Sequence, residues 1–98
     1  MIILYSHFEV KPGHEEEFLA ACKPVIQKAR AIKGNTSYHL MKVFDEKDIY
    51  KLVGFWDDMD AYKSHSTSEY LKDYVQKSNN FLAIPIERTL VSGEIVKV

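Results

Sequence analysis

Trp56, Tyr62, His65 and Tyr70 lie close together in the chain. They fall in Gly54-Phe55-Trp56-Asp57-Asp58-Met59-Asp60-Ala61-Tyr62-Lys63-Ser64-His65 and just beyond it. An apolar, strand-like run ends at the tryptophan, and an acidic-capped helical run then carries a tyrosine and a histidine. That order can set one flat aromatic surface and one titratable imidazole beside the same pocket. The matching chemistry is oxygenation of a phenol or quinol. A base must first remove the hydroxyl proton, because the anion gives an electron to O2 far more readily than the neutral ring. A wall must hold the ring flat, and the pocket must be dry enough for the radical pair to combine. Histidine suits the base role, with an unperturbed pKa of about 6.5.

His65 is therefore the candidate catalytic residue, Trp56 the wall, and Tyr62 and Tyr70 the groups that bond substrate oxygens. Glu69 would orient His65 from one turn away if the helix runs on through Ser66. A new helix starting at the capping-box pattern Ser66-x-x-Glu69 would separate the two. Each residue also has a plainer role. A strand-end tryptophan packs cores, a lone helical histidine sits at surfaces, and tyrosines pack with their hydroxyls wet. His7 and His39 sit on strands and could approach each other or a pocket. No His-x-His or Cys-x-x-Cys spacing supports a metal site.

The elements that would position these groups follow from periodicity. Residues 2–10 are β-branched and aromatic and stop at Lys11-Pro12-Gly13, which predicts a strand. Glu15, Glu16 and Glu17 crowd a helix start. Phe18, Cys22, Val25, Ala29 and Ile32 then form an apolar stripe at helical spacing. Pro24 predicts a kink or a break into two helices. Gly34-Asn35 closes the segment. Ser37–Phe44 and Ile49–Trp56 read as a hairpin about the turn Asp45-Glu46-Lys47-Asp48. A symmetric turn would put Gly54 opposite His39 and Trp56 opposite Ser37. Asp57 or Asp58 caps the next helix, and Leu71, Tyr74, Val75 and Ser78 continue to a stop at Asn79-Asn80, which tolerate the left-handed conformation. Residues 84–98 are strand-like, with Pro85 marking a start or an edge.

The order is βαββαβ, an α+β, ferredoxin-like arrangement with a four-stranded antiparallel sheet, read as one domain over residues 1–98. A sheet with helices on one face leaves the other wet and should alternate to polar residues there. Here both alternate sets are apolar-rich: Leu4 and Phe8 against Ile3 and Tyr5, Leu52 and Trp56 against Val53 and Phe55. A second copy covering the open face predicts a homodimer.

Composition narrows the classes further. The 98 residues carry a net charge of −1, which offers no basic excess for nucleic acid. Cys22 is the only cysteine, so an intrachain disulfide is impossible and a buried, inert thiol is expected. No apolar run approaches the roughly 20 residues of a membrane span. No leader pattern precedes the first strand, so a cytoplasmic location is expected.

Three pieces of sequence together resemble a known family. They are Lys11-Pro12-Gly13-His14-Glu15, Gly34-Asn35-x-x-Tyr38-x-Leu40, and Trp56-x-Asp58-x-x-Ala61-x-x-x-His65-x-x-Ser68. In this order and spacing they resemble the antibiotic biosynthesis monooxygenase (ABM) family of dimeric α/β-barrel proteins, over about three quarters of the chain. The resemblance implies face-to-face sheets in a homodimer and a pocket between sheet and helices. Members include cofactor-free oxygenases of quinols and polyketide aromatics, haem-degrading monooxygenases and a small-sugar isomerase. Fold is thus better fixed than chemistry.

Many members carry a glutamate where this chain has Gly54, and a second histidine where it has Tyr70. The haem-degrading branch has an asparagine where Ser6 stands and a haem-ligating histidine near Val75, so haem degradation is disfavoured. Tyr62 matches a tyrosine of the polyketide branch. Ser6 and His39 complete the candidate substrate-binding set with Trp56, Tyr62 and Tyr70. The reading is a cofactor-independent monooxygenase using O2 on a small aromatic substrate. A binding or isomerase-like role is the alternative.

Overall fold

The computed structural model describes residues 1–98. Its elements run β1 (Ile2–Glu9), α1 (Glu15–Arg30), β2 (Asn35–Lys42), β3 (Ile49–Trp56), α2 (Met59–Ser66), α3 (Glu69–Ser78) and β4 (Glu87–Ser92). The four antiparallel strands lie in the order β2-β3-β1-β4. This is the ferredoxin-like arrangement, with the second helical segment split in two.

Alternation decides which side of the sheet is covered. Ile2, Leu4, Ser6 and Phe8 of β1 and Tyr50, Leu52, Gly54 and Trp56 of β3 are buried beneath the helices. From above, α1 presents Phe18, Cys22, Val25 and Ala29, all buried. Phe18 is the centre of one aromatic cluster, with ring centroids 5.4 Å from Phe8, 4.8 Å from Tyr50 and 5.9 Å from Phe81. The opposite face bears Ile3, Tyr5, Met41, Val53, Phe55 and Val91, and no element of the chain packs on it.

Helix α1 runs unbroken through Pro24, against the expected break. Pro24 and the residue four before it, Ala20, both face solvent, where water can bond the carbonyl that the proline leaves free.

The hairpin register is one residue from the symmetric expectation. Tyr38 lies opposite Gly54, and His39 opposite Val53. The connection is longer than a four-residue turn: Val43 N–H donates to the Ile49 carbonyl at 3.0 Å, and Asp48 takes a left-handed φ of 62°. An irregularity between Asn35 and Ser37 brings Asn35, rather than Ser37, opposite Trp56. Since side chains alternate, one residue of slip reassigns faces along the whole strand. Tyr38 therefore points under the helices and His39 away from them.

Asp58 caps α2, its carboxylate accepting from Ala61 N–H at 2.9 Å. The next helix is capped by Ser68, not Ser66: Ser68 Oγ accepts from Leu71 N–H at 3.3 Å, while Ser66 Oγ turns back to the Lys63 carbonyl at 3.4 Å. Glu69 consequently opens α3, exposed and paired with Lys72 at 3.4 Å, and does not orient His65. The stop at Asn79 is right-handed, with φ −61°. Strand β4 is shorter than the expected run and forms an exposed edge after Pro85.

Candidate functional site

Between sheet and helices lies a cavity lined by 14 residues, 11 of them hydrophobic. The three that are not are Ser6 on β1, His65 on α2 and Arg88 on β4. Its volume is about 40 Å³. Such a space holds one or a few waters; a benzene-sized cavity is on the order of 150 Å³. A ring must therefore displace side chains at the rim, where half-buried Tyr62 and Ile86 and exposed Arg88 stand.

His65 is 1% exposed and among the largest fully buried side chains. Its ring is wedged between Trp56, Tyr38 and Tyr70, with centroids 5.2, 5.2 and 5.6 Å away. Nδ1 is hydrogen-bonded to Tyr70 Oη at 2.7 Å. The α2–α3 break makes this bond possible by turning the chain between them, so Tyr70 fills the orienting role expected of Glu69. Burial pushes the imidazole pKa down to about 4, and the Arg88 guanidinium pushes the same way. His65 is thus neutral at pH 7.

The neutral state has a stability consequence with a definite sign. Between about pH 4 and 6.5 the unfolded chain binds the proton and the folded chain does not. The contribution is full above about 6.5 and is lost as pH falls toward 4, by roughly 2–3 kcal/mol. Urea midpoints at pH 7 and 4.5 check this. His65→Gln should remove most of the difference between them. An undiminished difference in that variant would place the proton uptake elsewhere.

Ser6 and Arg88 are register partners on neighbouring strands, so they enter the cavity side by side. Ser6 Oγ, Tyr38 Oη and His65 Nε2 have no hydrogen-bond partner in the chain, yet none is sealed from the cavity. The one buried polar side-chain atom without a partner is Trp56 Nε1. Arg88 makes no ion pair with any carboxylate. Cys22 lines the cavity and contacts Tyr74 Oη at 3.5 Å; burial raises its thiol pKa to about 11, as an inert thiol requires.

Of the residues singled out from sequence, Ser6, Tyr62 and His65 line the cavity. Tyr70 stands behind His65 and does not line it. Trp56, 0% exposed, packs against His65 from outside the lining, behind the imidazole. His39 is remote: it is exposed and meets Arg30 Nη2 at 3.3 Å. Sequence reasoning missed Arg88 and Tyr38. The pattern Tyr38-x-Leu40 marked the second, but only the register shows that it points inward. Nothing local marks Arg88.

The family model described as antibiotic biosynthesis monooxygenase matches residues 1–77. The chain belongs to the ABM family. YcnE of Bacillus subtilis (strain 168), provisionally named a monooxygenase, is 31% identical over 87 residues, covering 89% of this chain and 92% of that protein. Among solved structures, Rv0793 of Mycobacterium tuberculosis superposes with a TM-score of 0.88 at 20% identity, covering 99% of this chain and 98% of its own. A conserved protein from Methanosarcina mazei Go1 gives 0.88 at 20% identity, over 95% and 92%. These structures speak to the fold alone.

Within the ABM frame the two departures acquire physical reasons. A Cβ at Gly54 would lie 2.6 Å from the Trp56 ring and 2.9 Å from Tyr38, so the space of the common glutamate is filled by aromatic rings. Where many ABM members have a second histidine, Tyr70 gives His65 its hydrogen-bond partner. Val75, where the haem branch needs a ligand, is exposed on α3. No helix is long and apolar enough to cross a membrane.

Proposed function

We propose that this ABM protein is a cofactor-independent monooxygenase that oxygenates the anion of a phenolic or quinol ring held in the cavity. The observation that carries the reading is the setting of His65: buried, neutral, fixed by Tyr70, and facing an apolar cavity beside an unpaired guanidinium. The monooxygenase name of a relative 31% identical supports the reaction class.

The overall step replaces a ring C–H by C–O and carries the ring to the quinone level, two electrons coming from each change. The substrate gives all four electrons, one oxygen atom joins the ring, and the other leaves as water. The cavity supports this in two ways. Its apolar lining excludes the water that would quench a radical pair. Arg88, Ser6 and His65 supply dipoles and charge for the ring oxyanion, and such groups are worth more in a dry site. Proton removal by His65 is weaker than expected from sequence. A phenol of pKa about 10 facing an imidazole of about 4 would transfer its proton at a cost of about 8 kcal/mol. Stabilising the anion is therefore the larger share of the work.

The unpartnered apolar face of the sheet supports a homodimer. Tyr5, Met41 and Val91 are 42, 45 and 47% exposed there, and burying them in a second copy would remove apolar area from water. Light scattering at micromolar concentration should return twice the 11.4 kDa mass of one chain; a monomer would refute this part. The reaction itself is tested by oxygen uptake of the metal-stripped protein against a panel of hydroquinones, phenols and cyclic β-diketones, with substrate-only blanks. Uptake well above blank is expected. None across the panel would favour a binding or isomerase-like role.

A further inference from the structure

Every polar group that faces the cavity has a proton to give, and none is an anion. Arg88 can only donate hydrogen bonds, and it has no carboxylate partner. Ser6 Oγ and Tyr38 Oη, each on a residue 3% exposed, have protons that no group in the chain accepts. The lining includes no Asp, Glu, Asn or Gln, so no side chain in it is a committed acceptor. His65 Nε2 completes the set, and its state depends on Tyr70.

Tyr70 Oη has His65 Nδ1 as its hydrogen-bond partner, at 2.7 Å. At 2.7 Å the pair has the length of a hydroxyl donating to a ring nitrogen, shorter than the roughly 2.9–3.0 Å usual for N–H···O, and a phenol is the stronger donor of the two. Tyr70 therefore donates to a bare Nδ1, and the imidazole proton sits on Nε2. Nε2–H then joins Ser6, Tyr38 and Arg88 as a donor directed at the cavity.

We infer that the cavity recognises a single ring that brings only acceptor oxygens, a cyclic β-dicarbonyl enolate already ionised in solution, and that Tyr70 positions His65 as an Nε2–H donor to it. This rests on the proposed oxygenation and narrows its substrate to rings that need no base. Neutral hydroquinone would enter with hydroxyl protons whose only side-chain acceptors are the Ser6 and Tyr38 hydroxyls, which are weaker acceptors than a carboxylate, and it would leave the Arg88 charge without an anion. Sites built for one hydrogen-bonding pattern reject the other strongly.

Two measurements test this. Nitrogen-15 NMR of histidine-labelled protein at pH 7, with His65 assigned through its own backbone, should show the Nε2–H tautomer; Tyr70→Phe should shift that signature toward a mixture. An Nδ1–H tautomer in the wild type would overturn the inference. Anaerobic calorimetry at pH 7 then compares dimedone, a cyclic β-diketone bound as its enolate, with hydroquinone. Dimedone should bind about tenfold or more tightly, and Arg88→Gln should abolish the preference. Equal affinity, or a preference for hydroquinone, would also overturn it. Neither measurement uses oxygen. An enolate preference without oxygen uptake would sink the oxygenase reading alone, and uptake without the preference would sink this inference alone.

Discussion

His65→Ala is expected to lower oxygen-consuming turnover by roughly 10²–10³-fold, the usual worth of a donor that meets a developing oxyanion. The substitution removes the ring that Trp56, Tyr38 and Tyr70 enclose and, with it, the nitrogen bonded to Tyr70 Oη. Some stability will go with it, on the order of 2–4 kcal/mol from the lost packing. Turnover must therefore be read at a temperature where circular dichroism shows the variant folded. His65→Gln separates the two roles open to the imidazole. The glutamine amide can accept from Tyr70 through its oxygen and present an N–H to the cavity, but it cannot act as a base. A donor role predicts that His65→Gln keeps turnover within about tenfold of wild type while His65→Ala does not. Equal loss in both variants would return His65 to the role of base. Unchanged turnover in both would remove it from the site.

Gly54→Glu, which restores the residue common in the ABM family, is expected to destabilise this chain by at least about 3 kcal/mol. The Cβ alone would stand 2.6 Å from two atoms of the Trp56 ring, and the position is buried in the middle of β3. Neither ring has room to retreat: Trp56 packs at 5.7 Å from Tyr38 and 5.3 Å from Tyr62, and both carry the walls of the site. A carboxylate would add a buried charge with no cation given to it. Gly54→Ala should show the steric part by itself, at about 1–3 kcal/mol. Urea unfolding followed by Trp56 fluorescence reads both. A Gly54→Glu protein as stable as wild type would mean that the aromatic cluster can rearrange, and that the family glutamate and the tryptophan are compatible here.

The fold was legible because its signals are local. The α1 stripe, the charge at its N-terminus, the alternation in β1 and β3 and the acidic cap at Asp58 can all be read within a few residues of each other. The family match over residues 1–77 agrees with the motif pieces that carried the resemblance. The site was legible only in part. Ser6, Tyr62 and His65 reach the cavity as their positions implied. His39 and Trp56 do not, for different reasons. One residue of hairpin register, set by the connection from Val43 to Asp48, turns His39 to the open face. Trp56 has its ring drawn back over Gly54, which leaves it behind His65. Arg88 could not be found at all from the sequence. Its place beside Ser6 follows from pairing between β1 and β4, strands from opposite ends of the chain.

The central claim is that one atom of O2 enters a ring bound in the cavity without help from a cofactor. The direct test is a reaction under ¹⁸O2 with the metal-stripped protein and the best substrate of the uptake panel, read by mass spectrometry of the product. One ¹⁸O atom per product molecule, absent from the blank and strongly reduced in His65→Ala, is the predicted result. Oxygen consumption with no ¹⁸O in the product would identify electron transfer to O2 without oxygenation and would contradict the claim.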